Sequence, residues 1–192
     1  MGWYYNKTDA KRIWKSLILK CEPDEQGNSQ MEICEEWKNY YNFERWFLEN
    51  VYATKQYHLG ICSDLLIWDA KIYSPETCCL LPLSFINLVY SCKSRNQFLP
   101  GVSIAKAGTF HTKLAKGSGV LAKTFKTEKE AFYFYKEYKE QLIKNKATAS
   151  KPLFPEHIYK ALMSLEVKPI RGTYNNLFGM QSEVLYSNQS EV

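Results

Sequence analysis

The sequence predicts an α+β fold, and three observations carry that expectation. From Val102 to Lys126 apolar and polar positions alternate with period two, interrupted by two glycine-bearing turns, and a helix entry follows at Thr127. The apolar blocks Leu59 to Trp68 and Cys78 to Leu83 flank a polar turn and run into a short apolar helix. Before Val51 the apolar residues recur at helical spacing instead. The expected architecture is therefore an N-terminal strand pair plus helix with flanking helices, then a three-stranded antiparallel sheet packed by one helix.

The elements follow in order. Thr8 or Asp9 can cap a helix over residues 10–20, with Ile13, Trp14, Leu17 and Ile18 on one side and lysines and arginine mostly opposite. Residues 21–30 include Pro23 and Gly27 and read as a loop. A second helix is expected over 42–51, with Phe43, Trp46, Phe47 and Asn50 on one side and Cys34 and Trp37 packing upstream. Trp14, Trp37 and Trp46 are assigned to the core, because large aromatics dominate small cores. Residues 52–58 connect to the first strand arm, 69–77 form the turn region around Pro75, and Pro82 starts a helix over 83–90 carrying Phe85, Ile86 and Val89.

The polar, basic stretch 91–98 reads as a linker, and with it the chain divides into 1–92, 99–147 and 152–192. In the second unit Phe110, Thr112 and Leu114 alternate with His111, Lys113 and Ala115. Phe110, Thr112 and Leu114 are expected to face the helix, leaving His111 and Lys113 on the solvent face. Thr127 and Glu130 have the spacing of a capping box, and Ala131, Tyr135, Tyr138 and Leu142 form the stripe that would cover the sheet. The third unit is a short helix over 155–165, with Ile158, Leu162 and Leu165 on one side, followed by a Gly, Asn, Ser and Gln-rich tail from Arg171. No internal repeat is visible.

A hydrophobic fraction of 45% and an aromatic fraction of 15% are enough to build real cores and are too high for a largely disordered chain. No apolar run reaches the roughly 18 residues that would span a bilayer, and residues 1–15 lack the apolar region of a signal peptide, so a cytoplasmic chain with no membrane partner is expected. Six cysteines contain no Cys-x-x-Cys pair; they read as small buried hydrophobes, and their spacing gives little support for zinc.

Charge placement says more than the net +5. Residues 1–98 are balanced at net −1 and residues 151–192 at zero, whereas 99–150 hold ten lysines against four glutamates. Between Leu99 and Thr127 there are five lysines and no acid. A single-sign stretch of this kind usually faces phosphate or another polyanion, although a solvated lysine-rich face would look the same. A three-stranded ribbon fits the DNA major groove, where alternate side chains reach base edges while lysines near the turns hold phosphates. Double-stranded DNA is the expected partner.

Two resemblances extend this reading. Gly101-Val-Ser-Ile, Thr109-Phe-His-Thr-Lys-Leu, and Phe125-Lys-Thr-Glu-Lys-Glu-Ala-Phe followed by Tyr135-Lys resemble the ethylene-response-factor type DNA-binding domain and related modules of phage and mobile-element endonucleases. The resemblance covers about fifty residues and implies DNA contacts at His111 and Lys113, with Lys106, Lys116 and Lys123 as neighbours. His111 and Lys113 stand where arginine is usual, and lysine lacks arginine's planar bidentate contact. Upstream, Ile33-Cys-Glu-Glu-Trp, Asn42-Phe-Glu-Arg-Trp and Ile72-Tyr-Ser-Pro-Glu-Thr-Cys, with Pro82 and Asn87 following, resemble HNH-type homing endonucleases of phage over most of residues 10–92.

That second family implies a strand pair plus helix holding one divalent cation, Mg2+ or Mn2+, beside a histidine base. The segment that should carry the histidine reads Ile61-Cys-Ser-Asp64, where only Asp64 suits a metal. Thr77 takes the central asparagine position, Asn87 the closing one, and His58 aligns only if the register shifts. The resemblance thus implies a degenerate nuclease fold kept for binding, with Asp64 and Asn87 as the catalytic candidates if hydrolysis persists. Three functions follow as expectations: a phage or mobile-element DNA-binding protein with little or no catalysis, an active divalent-metal endonuclease, or a phage protein that binds and blocks a host nuclease or defence complex. Fourteen tyrosines would suit the third, since tyrosine is enriched at protein contacts.

Overall fold

The fold is described from a computed structural model, covering residues 7–23, 25, 29, 31–52, 59–94, 97–105, 108–116 and 119–171. Helix α1 (Lys7–Cys21) starts before the expected cap at Thr8 or Asp9; of the expected stripe it buries Ile13 and Leu17, leaves Trp14 and Ile18 half-buried and adds Ala10, and Trp14 Nε1 donates to the Trp37 carbonyl at 2.7 Å. The two-residue strand β1 (Glu32–Ile33), the short helix α2 (Glu35–Lys38) and helix α3 (Tyr40–Asn50) follow. Helix α3 begins two residues before the expected Asn42. The cause is local: the Asn39 side chain accepts a hydrogen bond from the Tyr41 amide and caps the first turn. Trp37, Phe43 and Phe47 are fully buried between α1 and α3.

Strand β2 (Leu59–Cys62) pairs antiparallel with β4 (Cys79–Pro82), and helix α4 (Leu83–Tyr90) leaves β4 without a loop. This is the predicted strand pair plus helix. Pro82 supplies φ −56 at the junction, the value a helix entry needs. Within the intervening segment lies a strand that the sequence did not reveal: β3 (Ile72–Tyr73) pairs in parallel with β1. Two residues are too few to show a period. The turn after β3 is closed by Thr77, whose hydroxyl donates to the Ile72 carbonyl at 2.7 Å and accepts from the Ser74 amide at 3.0 Å.

The β2–β4 ribbon is buried on both faces, and its register shows why. Ile61 and Leu80 are cross-strand partners facing one hydrophobic cluster, built with α1 and α3; Cys62 and Cys79 are partners facing the other. Gly60 lies on that second face, where an added Cβ would meet Ile86 and Leu83 of α4 at 2.9 and 3.0 Å. Glycine here lets the helix lie close against the strand.

Strands β5 (Val102–Ile104), β6 (Phe110–Lys116) and β7 (Gly119–Phe125) form an antiparallel sheet in that order, with β6 central. Helix α5 (Glu128–Ala149) opens with the expected capping box of Thr127 and Glu130. Its buried face runs Ala131, Tyr135, Lys139, Ile143 and Ala147, with Phe132 beside it. The stripe therefore keeps a spacing of four past Tyr135, and Tyr138 and Leu142 are only half-buried. Gly101 has φ +72, and a Cβ there would collide with the Tyr135 ring, so no other residue fits without strain.

The described residues on either side of the expected linker, 91–94 and 97–99, are tied to the rest of the fold. Cys92 is fully buried, the Tyr135 hydroxyl donates to the Ser91 carbonyl, and the Leu99 amide donates to Glu128 at 2.6 Å. One hydrophobic cluster runs from Cys62 and Leu81 through Phe85, Val102 and Phe132 to Val167, across both expected domain boundaries. Helix α6 (Glu156–Ser164) packs on α5 through Ile158 and Leu162, and the chain after it is pinned by the Val167 amide donating to Glu140 and by Arg171 pairing with Glu128 at 2.6 Å. Among the described residues no helix is long and apolar enough to cross a membrane.

Candidate nucleic-acid interface

The pairing register of β6 assigns each candidate to a face, because directly opposed residues of an antiparallel pair project to the same side. Thr112 and Leu114 are buried against α5, and the Thr112 hydroxyl donates to the Gly101 carbonyl at 2.7 Å. The other face therefore presents Ser103, His111, Lys113, Ala122 and Thr124. Lys113 is exposed and has no ion-pair partner among the described residues. His111 is half-buried, and its Nε2 lies 3.2 Å from the Ser103 hydroxyl, which orients the ring on the sheet.

Lys123 does not belong to this face. It is the cross-strand partner of the buried Thr112, so it projects toward the helix side, where its ammonium lies 4.6 Å from the Phe134 ring and 5.4 Å from the Phe125 ring. Counting lysines along β7 without the register could not separate it from Lys113. Lys116 ends β6 opposite Gly119, and its side chain lies outside the described residues. Lys106 and His58 also lie outside them.

Beside the sheet a cleft of about 310 Å³ is lined by Ser91, Lys93 and Ser94 from the segment after α4, by Gly101, Val102 and Ser103 at the start of β5, and by Lys113 and Tyr135. Lys93 was hidden in what read as a linker. Its ammonium is held by Asp64 at 2.8 Å and Asp69 at 3.0 Å. Burial pulls the Lys93 pKa down, but the hydrogen bonds and charges of the two aspartates outweigh it and hold the group above the ordinary lysine value. Asp69 shows the converse: burial raises its pKa, but bonds to Lys71 and Lys93 bring it below the usual carboxylate value. The sequence offers no signal for a pair separated by 29 residues, since only the packing of α4 against β2 brings the two segments together.

The same contact bears on a divalent cation. Asp64 is buried at 5% exposure with its Oδ1 committed to Lys93, whereas Asn87 is exposed on α4. Among the described residues no three His, Cys, Asp or Glu side chains come together in a way that could hold a metal ion. Mg2+ and Mn2+ favour several oxygen ligands, which Asp64 and Asp69, both already paired to lysine ammonium groups, do not supply. The residues do not fit the group. Thr77 spends its hydroxyl on closing the β3 turn.

The six cysteines are free. Cys62 and Cys79 are opposed on the β2–β4 ribbon, and burial pushes the Cys78 and Cys92 thiols up to about 12, which keeps both as neutral core groups. Comparison with protein-family models, with curated proteins and with solved structures returned no match.

Proposed function

We propose that the protein binds double-stranded DNA through the outer face of the β5–β6–β7 sheet. One observation carries the reading: Lys113 stands exposed and, among the described residues, without an acidic partner on a regular antiparallel sheet, in a stretch from Leu99 to Thr127 that contains five lysines and no acid. A flat face of alternating side chains fits the major groove, and an unneutralised cation on it gains from counterion release at phosphate. His111, held by Ser103, is the polar group on the same face suited to a base edge. The resemblance to ethylene-response-factor type modules supports the same use of these two positions.

Hydrolysis has no comparable support, because Asp64 is tied to Lys93 and Asn87 stands apart on the exposed side of α4. The proposal is of a binding protein whose strand pair plus helix serves as structure. A gel-shift with duplex DNA at low and moderate salt tests it. Binding at low salt that weakens as salt rises is expected; no binding at low salt refutes the reading. Lys113→Glu should weaken binding about tenfold or more, since it replaces attraction to phosphate with repulsion.

A further inference from the structure

We propose that the cleft between residues 91–94 and β5 is a phosphate seat that takes one backbone phosphodiester of the bound duplex. The inference rests on the DNA-binding reading and specifies what part of the surface holds the backbone. Lys113 and Lys93 reach this cleft from two different elements, and the hydroxyls of Ser91, Ser94 and Ser103 add polar groups to a wall that Val102 and Tyr135 make partly apolar.

The local charge favours an anion. Lys71 pairs with Asp69, Lys93 is shared between Asp64 and Asp69, and Lys168 lies over the Trp68 ring at 5.8 Å, where Lys93 lies at 5.7 Å. Of these lysines Lys93 lines the cleft together with Lys113, and Lys71 offsets the charge of Asp69. Asp64 and Asp69 hold the Lys93 stem in one place, so an arriving phosphate need not order it. Positioning of this kind lowers the entropic cost of a contact. Lys113, free of any acidic partner among the described residues, supplies the uncompensated charge. The cleft adjoins the outer face of the sheet through Ser103 and Lys113, so a duplex lying on that face would bring its backbone to this edge. On this account Lys113 is a backbone contact, and base preference falls to His111.

The test measures affinity for several duplexes of unrelated sequence as a function of salt. Lys113→Gln should lose affinity equally on every duplex and reduce the magnitude of the log affinity against log salt slope by about 0.9, the value for one phosphate. The wild type's advantage should then shrink about threefold for a fourfold rise in salt. A duplex with a neutral methylphosphonate placed at each backbone position in turn should contain one position that erases the difference between wild type and Lys113→Gln. To test the other wall, Asp64→Asn/Lys93→Gln, which leaves no buried unpaired charge, is compared with Asp64→Asn. The added Lys93→Gln change should weaken binding, and the same methylphosphonate position should erase that loss. If the double variant does not fold, the Lys113 arm and the methylphosphonate scan still decide the matter. Lys160→Gln, on the exposed side of α6 beside Glu156, serves as the charge control and should leave the slope unchanged.

A Lys113→Gln loss confined to some sequences, with the slope intact, would place the lysine on a base and overturn the proposal. So would a slope that does not change, as expected if the cleft held only free phosphate. Both outcomes presuppose binding by the wild type, so they are distinct from failure of the DNA-binding reading, in which the wild type itself does not bind.

Discussion

Removing Asp64 separates the structural role found for it from the metal-binding role its place in the sequence implies. Its carboxylate is almost fully buried and bonded to the Lys93 ammonium, whose side chain is 29% exposed. Deleting one member of a buried pair costs about 3–5 kcal/mol when the other is left stranded. Lys93 is not wholly stranded, because Asp69 remains at 3.0 Å and water reaches part of the side chain. The expected loss for Asp64→Ala is therefore about 2–3 kcal/mol, at the range for a lost bond to a charged group. For a chain of this length that corresponds to a fall in Tm of roughly 4–12 °C.

Urea and thermal unfolding followed by tryptophan fluorescence would measure it. The sign of the pH dependence is also set. Lys93 binds its proton more tightly folded than unfolded, so its stabilising contribution is complete below the ordinary value of 10.5 and fades as the pH rises through the raised folded value. The Lys93-linked part of the gap between wild type and Asp64→Ala should accordingly be constant at neutral pH and narrow in the alkaline range. A loss below about 0.5 kcal/mol, within the range of ordinary surface changes, would refute the reasoning. So would a wild-type midpoint that rises with added Mn2+ while the variant's does not, since preferential binding to the folded state stabilises it.

Three further outcomes follow from the packing. Gly101→Ala should cost about 2 kcal/mol or more, from the positive φ and the collision with Tyr135; a neutral effect in urea unfolding would mean that the α5–β5 contact is looser than described. Lys139 is 8% exposed, has no carboxylate partner among the described residues, and burial lowers its pKa, so Lys139→Met should raise stability by about 1 kcal/mol at neutral pH; a lower Tm would refute this. Lys123→Gln should reduce DNA affinity much less than Lys113→Glu, and an equal loss would contradict the assignment of the two lysines to opposite faces.

Local patterns made much of this protein legible. Alternation along β6, the capping box at Thr127, the stripe on α1 and the apolar blocks around Pro82 are short-range signals, and each corresponds to an observed element. The face carrying His111 and Lys113 was legible for the same reason, since period two needs no knowledge of the neighbouring strand. Lys123 was misplaced because its side of the sheet depends on its opposition to Thr112, a cross-strand register that composition does not display.

The sequence by itself determined the α+β architecture, the strand pair plus helix, the three-stranded sheet and the concentration of lysine between residues 99 and 127. These depend on periodicity, turn residues and charge counted along the chain. Only the tertiary structure decided that Cys92, in the expected linker, is buried in the core, that Asp64 answers Lys93, and that Lys93 and Lys113 line one cleft. The physical reason is that contacts across 20 or more residues arise from how buried faces pack. The β2–β4 ribbon, covered on both sides, joins two hydrophobic clusters and brings an aspartate before the turn to a lysine beyond α4. The same carboxylate that reads as a metal ligand in one dimension is, in three, the anchor of an ammonium group.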